Sequence, residues 1–343
     1  MKALFIGGTG TISAAVVKRL AEELHWEVWL LNRGNRSMML PEGVHQIMAD
    51  IREEEDVLRK LNGMSFDTVC EFIAYTKADV ERDYRLFQNR TRQYVFTSSA
   101  SAYHKPSENY LVTEGTTLAN PYWQYARDKI ACEEFLMDKF RTEGFPVTIV
   151  RPSHTYDERK IPIGLHGKNG SWQVIARMLE GKPVIIHGDG SSLWTVTSSR
   201  DFAIGYTGLM GNRHAIGEAF QITSDEVLTW NQIYETIADA LHVELHAYHV
   251  SSDFLAAAGE TAGYDFRGGL LGDKAVSVVF DNQKLRRAVP DMHITTRFDQ
   301  GVRQALDYIF AHPECRKPDP EFDNWCDRVI AAQEEAKKRI AAM

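Results

Sequence analysis

A tyrosine and a lysine stand four residues apart in Tyr125-Ala126-Arg127-Asp128-Lys129, where the apolar spacing predicts a helix over 125–140. That spacing puts both side chains on one helix face. A free phenol titrates near pH 10, too high for a base at neutral pH, and a neighbouring ammonium favours the phenolate. The pair is a candidate proton donor and acceptor. Upstream, an apolar run over 94–97 ends in Ser98-Ser99-Ala100-Ser101-Ala102-Tyr103. Ser99 is suited to hydrogen-bond a substrate hydroxyl or carbonyl beside the phenol.

A second chemistry lies at the other end of the same stretch. The run over 2–6 leads into Gly7-Gly8-Thr9-Gly10-Thr11-Ile12-Ser13 and then into helical spacing. Gly7 permits a tight turn. Gly10, Thr11 and Ile12 would bring backbone up to a pyrophosphate at the positive end of the helix. Ser13 holds the third small position of the pattern. Placed between a strand and a helix, these glycines read as a dinucleotide site. The next strand ends in Asn32-Arg33-Gly34, with Arg36 close behind, where an acid often binds the ribose of NAD. Asn32 does not repel a 2′-phosphate and Arg33 can pair with one. The cofactor expected is NADP or NAD, with NADP favoured. Asp50 and Ile51 would lie beside the adenine. Phe72, Ile73 and Ala74 would lie beside the pyrophosphate and ribose.

The elements that must position these groups follow from periodicity. Strand-like runs at 2–6, 27–31, 45–48, 68–72, 94–97 and 147–150 alternate with helical spacing over 11–24, 53–61, 78–87 and 125–140. This alternation predicts an α/β fold with a doubly wound parallel sheet of the Rossmann type, which binds ligands beyond its strand ends. After Arg151-Pro152 the pattern changes. Residues 155–170 read as a loop over a site, with Lys160, His166 and Lys168 mostly solvated, and short strands and helices follow. The division expected is a dinucleotide-binding domain over 1–155, a smaller substrate domain over 156–318 whose elements cross back to the first, and a charged helical tail over 319–343.

Composition narrows the classes. Of 343 residues, 44% are hydrophobic and 25% charged, as in soluble globular chains. No apolar run reaches the ~18 residues of a membrane span. With its short apolar start, the chain reads as cytoplasmic. A net charge of −8 argues against nonspecific nucleic-acid binding. Cys70, Cys132, Cys315 and Cys326 are scattered and read as reduced thiols, with no metal site.

Taken together, Gly7-x-x-Gly10, Asp50, Ser99, Tyr125/Lys129, Arg151-Pro152 and Gly188-Asp189-Gly190 resemble the extended short-chain dehydrogenases/reductases, the NAD-dependent epimerase/dehydratase family, over residues 1–310. The resemblance implies catalysis by Ser99, Tyr125 and Lys129, with Lys129 also on the nicotinamide ribose and Pro152 and Ser153 bordering the nicotinamide. It sets Ser101, Tyr103, His154, Trp194 and Arg200 along the substrate. Three positions depart from the pattern. Ala100-Ser101 replace the Asp-Glu pair of sugar dehydratases, which argues against water elimination. Trp194 stands where an arginine usually meets the substrate diphosphate, with Arg200 close by. His154 replaces an asparagine that commonly touches the nucleotide. Trp172, Trp194 and Trp230 also read as core aromatics. The expectation is an NAD(P)-dependent epimerase or reductase/dehydrogenase acting on a secondary alcohol or ketone of a sugar-like molecule. A homodimer through the 78–87 and 125–140 helices is expected from the same resemblance. The rival readings are an RNA-binding protein related to chloroplast stem-loop binding proteins and a cofactor-binding regulator without turnover.

Overall fold

Runs of β-branched and aromatic residues bounded by glycine turns are what a sheet buried on both faces demands. The computed structural model describes residues 1–34 and 40–343, so Arg36 lies outside the described residues. The chain opens with β1 (Lys2–Ile6), α1 (Ser13–Glu22), β2 (Glu27–Asn32), β3 (His45–Met48), α2 (Glu54–Lys60), β4 (Thr68–Glu71), α3 (Lys77–Phe87) and β5 (Tyr94–Thr97). A short β6 (Leu111–Val112) precedes α4 (Gln124–Glu143), β7 (Val147–Pro152) and β8 (His154–Tyr156). Next come α5 (Trp172–Leu179), β9 (Val184–His187), β10 (Leu193–Trp194), β11 (Val196–Ser198), α6 (Ser199–Leu209) and β12 (Ala219–Ile222). The remainder holds β13 (Leu228–Thr229), α7 (Trp230–Leu241), β14 (Ala247–Val250), α8 (Ser252–Glu260), β15 (Val279–Phe280), α9 (Gln283–Ala288), α10 (Phe298–Ala311) and α11 (Pro320–Ala341).

Seven strands form one parallel sheet in the order β12-β7-β5-β4-β1-β2-β3. This is the doubly wound Rossmann-type α/β fold. Strand order reverses between β1 and β4, which opens a crevice at their carboxyl ends. On one face α1 packs Val16, Val17 and Leu20 against Phe202, Tyr206 and Leu209 of α6. On the other, α3 and α4 bury Val80, Leu86, Phe87, Cys132 and Leu136. The elements α6 and β12 thus return from beyond residue 155 to complete the sheet and its cover.

The remaining elements build a second apolar cluster around Trp194, Trp230, Tyr234 and Phe298. Its strands pair two by two across long stretches of chain, as β6 with β15 and β9 with β14. Two expectations are corrected here. The segment read as a loop over a site buries Ile161, Ile163 and Leu165 in the core, whereas Lys160, His166 and Lys168 are exposed as expected, Lys168 pairing with Glu321 at 3.4 Å. The charged tail is partly core as well. Phe322, Trp325, Cys326 and Val329 of α11 are buried, and Arg177 reaches Asp323 at 2.6 Å and Asp327 at 2.8 Å. An amphipathic stripe among many charges hides such a helix from a reading by composition.

Candidate active site

A cavity of about 660 Å³ lies across the crevice between β1 and β4. Gly7, Gly10, Thr11 and Ile12 line one wall, Asn32, Arg33, Asp50 and Ile51 one end, and Phe72, Ile73, Tyr125, Lys129 and Pro152 the other side. Gly7 has φ +82, and a Cβ there would come within 2.4 Å of the Ile73 side chain. Glycine is required on both counts. Ser13 explains its own place in the motif: its hydroxyl donates to the Gly7 carbonyl at 2.7 Å and accepts from the Gly10 amide at 2.8 Å. One side chain thereby staples the turn that a third glycine would only have made room for.

At the ribose end, Asn32 accepts from the Gly34 amide at 3.0 Å, which fixes the end of β2. Asp50 is held by Arg52 through bonds of 3.0 and 2.7 Å, and these bonds keep its carboxyl low, at about 2. Arg33 stands 4.0 Å from the same carboxylate with its side chain 59% exposed, free to meet an anion at the rim.

At the opposite end, α4 presents Tyr125 and Lys129 together. Lys129 is buried, donates to the carbonyls of Ala74 and Thr97 at 2.8 Å each, and lies 5.9 Å from the Tyr125 ring centre. Burial lowers its ammonium to about 8. The expectation that this ammonium lowers the phenol pKa is corrected: burial dominates and pushes Tyr125 up to about 12, with the Ser99 hydroxyl pulling the other way. Ser99 caps the single turn Ala100–Ala102 and shares a hydrogen bond of 2.9 Å with Ser101. Ala74, Ser99 and Ser153 do not line the cavity; Ala74 acts through its carbonyl on Lys129.

The expected substrate residues fare differently. Tyr103 is 1% exposed, donates to Gln221 at 2.9 Å and packs under Arg151, so it is core and not a substrate contact. Trp194 is also buried, stacked on Trp230 with ring centres 5.6 Å apart and donating to His154 at 3.3 Å. Two of the three departures from the pattern thus pack against each other. Arg200 is exposed and lies outside the cavity lining.

Sequence reading missed Tyr75, Thr97 and Ser98, which line the cavity, and the Lys129 ammonium lies 5.0 Å from the Tyr75 ring centre. Ser98 bonds Glu133, which forms a buried ion pair with Arg151. Position at the ends of β4 and β5 was the available signal. The glycine turn, the amino end of α1 and the width of the cavity fit an extended dinucleotide.

The profile of the NAD-dependent epimerase/dehydratase family matches residues 3–223. The chain belongs to this family. Membership bears out the extended short-chain dehydrogenase/reductase resemblance and makes the protein an enzyme of that type. It is 26% identical to the 2′-dehydrokanamycin reductase of Streptomyces kanamyceticus over 290 residues, covering 84% of this chain and 79% of the relative. It is 24% identical to the chloroplast stem-loop binding protein of 41 kDa b of Arabidopsis thaliana over 252 residues, 70% of this chain and 63% of that protein. Among solved structures, the UDP-glucuronic acid 4-epimerase of Bacillus cereus, in complex with UDP-glucuronic acid and NAD, superposes with a TM-score of 0.72 at 18% identity, covering 91% of this chain and 99% of that one. The chain combines the strand-to-helix glycine turn with a Tyr/Lys pair on α4. Among the described residues, no helix is long and apolar enough to cross a membrane.

Proposed function

We propose that this protein is an NAD(P)-dependent oxidoreductase that interconverts a secondary alcohol and a ketone on a sugar-like substrate. The carrying observation is that Tyr125 and Lys129 line the same cavity as the Gly7–Ser13 turn. The amides of Thr11 and Ile12 would hold the pyrophosphate, Asp50 and Ile51 the adenosine end, and Lys129 the ribose next to the nicotinamide. Pro152 would border the ring. When bound, the nicotinamide accepts or supplies a hydride at the carbinol carbon. Tyr125 takes the hydroxyl proton in one direction and returns it in the other. Ser99, steadied by Ser101, holds the substrate oxygen at the phenol. Ala100-Ser101 put no carboxylate beside Ser99, which supports simple redox chemistry or epimerisation over dehydration. The likeness to a reductase over most of both chains favours net reduction. The buried Trp194–His154 contact leaves neither side chain free for a nucleotide, so uridine or thymidine diphosphate sugars should bind weakly. Saturation-transfer NMR with such sugars tests this, and clear micromolar binding through the nucleotide would refute it.

Oxidation of NADPH followed with a panel of keto-sugars and polyols tests the reaction itself. Turnover with none of them, together with RNA binding at physiological salt, would instead favour the function named for the chloroplast relative. The net charge of −8 speaks against that second reading. NADP is proposed over NAD on the strength of Asn32 and the exposed rim position of Arg33. Calorimetry should give NADP equal or higher affinity, and Arg33→Asp should shift preference toward NAD; a tenfold preference of the wild type for NAD, about 1.4 kcal/mol, would overturn the assignment. The exposed sides of α3 and α4 are the proposed contact between two copies.

A further inference from the structure

Lys105 is 2% exposed, yet among the described residues its ammonium makes no hydrogen bond and no ion pair. Burying a lone ammonium is costly, and a fold retains one where something else supplies the partner. The charge acting on it is the Asp273 carboxylate, which also acts on the Tyr125 phenol. Asp273 feels Lys274 as well and forms an ion pair with neither lysine. Two lysines thus share the influence of one acid that also acts on the candidate proton donor, and burial disfavours the charged form of all three.

The chain around this trio is fastened to the active site. Asn120 donates to the Ser101 carbonyl at 2.9 Å and to the Gly272 carbonyl at 2.7 Å, which ties the residue before Asp273 to the Ser99/Ser101 pair. Gly268 and Gly272 lie flush on Trp123, whose ring centre is 4.9 Å from that of Tyr125. On the far side, the Lys274 carbonyl accepts from the Trp230 indole at 3.0 Å. Trp230 carries Trp194, and Trp194 holds His154. The departures at 154 and 194 therefore build a rigid wall behind Lys274.

We infer that Lys105, Lys274 and Asp273 form a subsite next to Tyr125 that binds an oxyanion carried by the sugar-like substrate, a carboxylate or a phosphate. An entering oxyanion gives Lys105 the acceptor it lacks, gives Lys274 a charged one beyond the Gly269 carbonyl it reaches at 3.4 Å, and balances the trio. A polyamine would meet two lysines. The inference rests on the proposed function only in placing the substrate at Tyr125.

Calorimetry on the protein saturated with NADPH, using glucuronate and glucose 6-phosphate against glucose and glucosamine, tests it without turnover. At least one acid should bind tenfold tighter than glucose, with glucosamine weakest; which acid wins names the group. Lys105→Met should abolish the preference and leave Tm unchanged or higher, because it removes a buried charge while keeping the stem. Lys274→Met, at a half-buried position, should reduce the preference and serves as the second variant should Lys105→Met fail to fold. Equal affinity for glucose, no binding of either acid at millimolar concentration, or a preference that survives both variants would overturn the inference. A fully active Tyr125→Phe would instead refute the catalytic reading and leave this binding result standing on its own.

Discussion

Tyr125 sits under opposing influences whose balance fixes the direction of its chemistry. Burial holds the phenol protonated, with a pKa of about 12, and Ser99 offsets only part of that. A protonated phenol is ready to donate, so it suits reduction of a carbonyl at neutral pH. Lys129, with its ammonium lowered to about 8, carries its charge at pH 7 and sheds it above pH 8. The sign follows. Reductive kcat/KM should be flat from pH 6 to pH 7.5 and fall above about pH 8, whereas oxidative kcat/KM should climb with pH as the phenolate fraction grows. Lys129→Met should erase the break near pH 8 and weaken NADP(H) binding. Tyr125→Phe deletes one oxygen, leaves cofactor affinity intact and should lower turnover by about 10²–10⁴. Parallel pH profiles and fluorescence titrations of the three proteins check both. Wild-type rates in Tyr125→Phe would end the mechanism.

The turn after β4 shows how an element sets a side chain. Glu71 is fully buried at the end of this strand, where burial and the neighbouring Asp83 push its carboxyl well above the usual range, and its Oε1 accepts from the amides of Ile73 and Ala74, the latter at 2.7 Å. The carbonyl of the same Ala74 accepts from Lys129. Glu71 thus positions Lys129 through the backbone, and the Ile73 side chain over Gly7. Glu71→Ala leaves buried amides without acceptors, at about 1–3 kcal/mol each, and should loosen cofactor binding severalfold. Glu71→Gln keeps an acceptor oxygen and should be much milder. Urea melts and cofactor Kd values for the two variants are the measurement, and equal effects would remove Glu71 from the positioning chain. The glycine turn and the strands β1 to β5 and β7 were legible because period-2 and period-3.6 patterns survive in a buried parallel sheet. Tyr103 and Trp194 were misread because a motif gives a residue's place along the chain but not the side its ring turns to. Lys105 and Asp273 were illegible because Asn120 and Gly272, which bring them to the site, lie 152 residues apart.

At the scale of the molecule, the two apolar clusters depend on segments remote in sequence. The doubly wound sheet takes its last strand, β12, from beyond residue 155. The second cluster takes a wall from the last helix, where Phe322 and Trp325 pack on Tyr264 and Phe266. Domain limits drawn along the chain at 155 and 318 therefore describe connectivity better than packing, and we propose that the two halves unfold together. Helix α11 permits a sharp comparison because its burial changes along its length. From Phe322 to Val329 one face is core, and Arg177, 1% exposed at its side chain, anchors there; from residue 335 onward the helix is exposed. Trp325→Ala should cost about 3–5 kcal/mol, the usual loss for a large buried aromatic. Deleting residues 338–343 removes exposed surface alone and should stay within about 0.5 kcal/mol. Both variants should keep the dinucleotide cavity, which α11 does not line. Urea denaturation followed by tryptophan fluorescence and by release of bound NADPH would resolve the outcome. Coincident transitions in the wild type, shifted together by Trp325→Ala, are expected of one cooperative unit. Release of NADPH at an unchanged midpoint while the fluorescence transition moves would mean that the sheet folds independently of the second cluster.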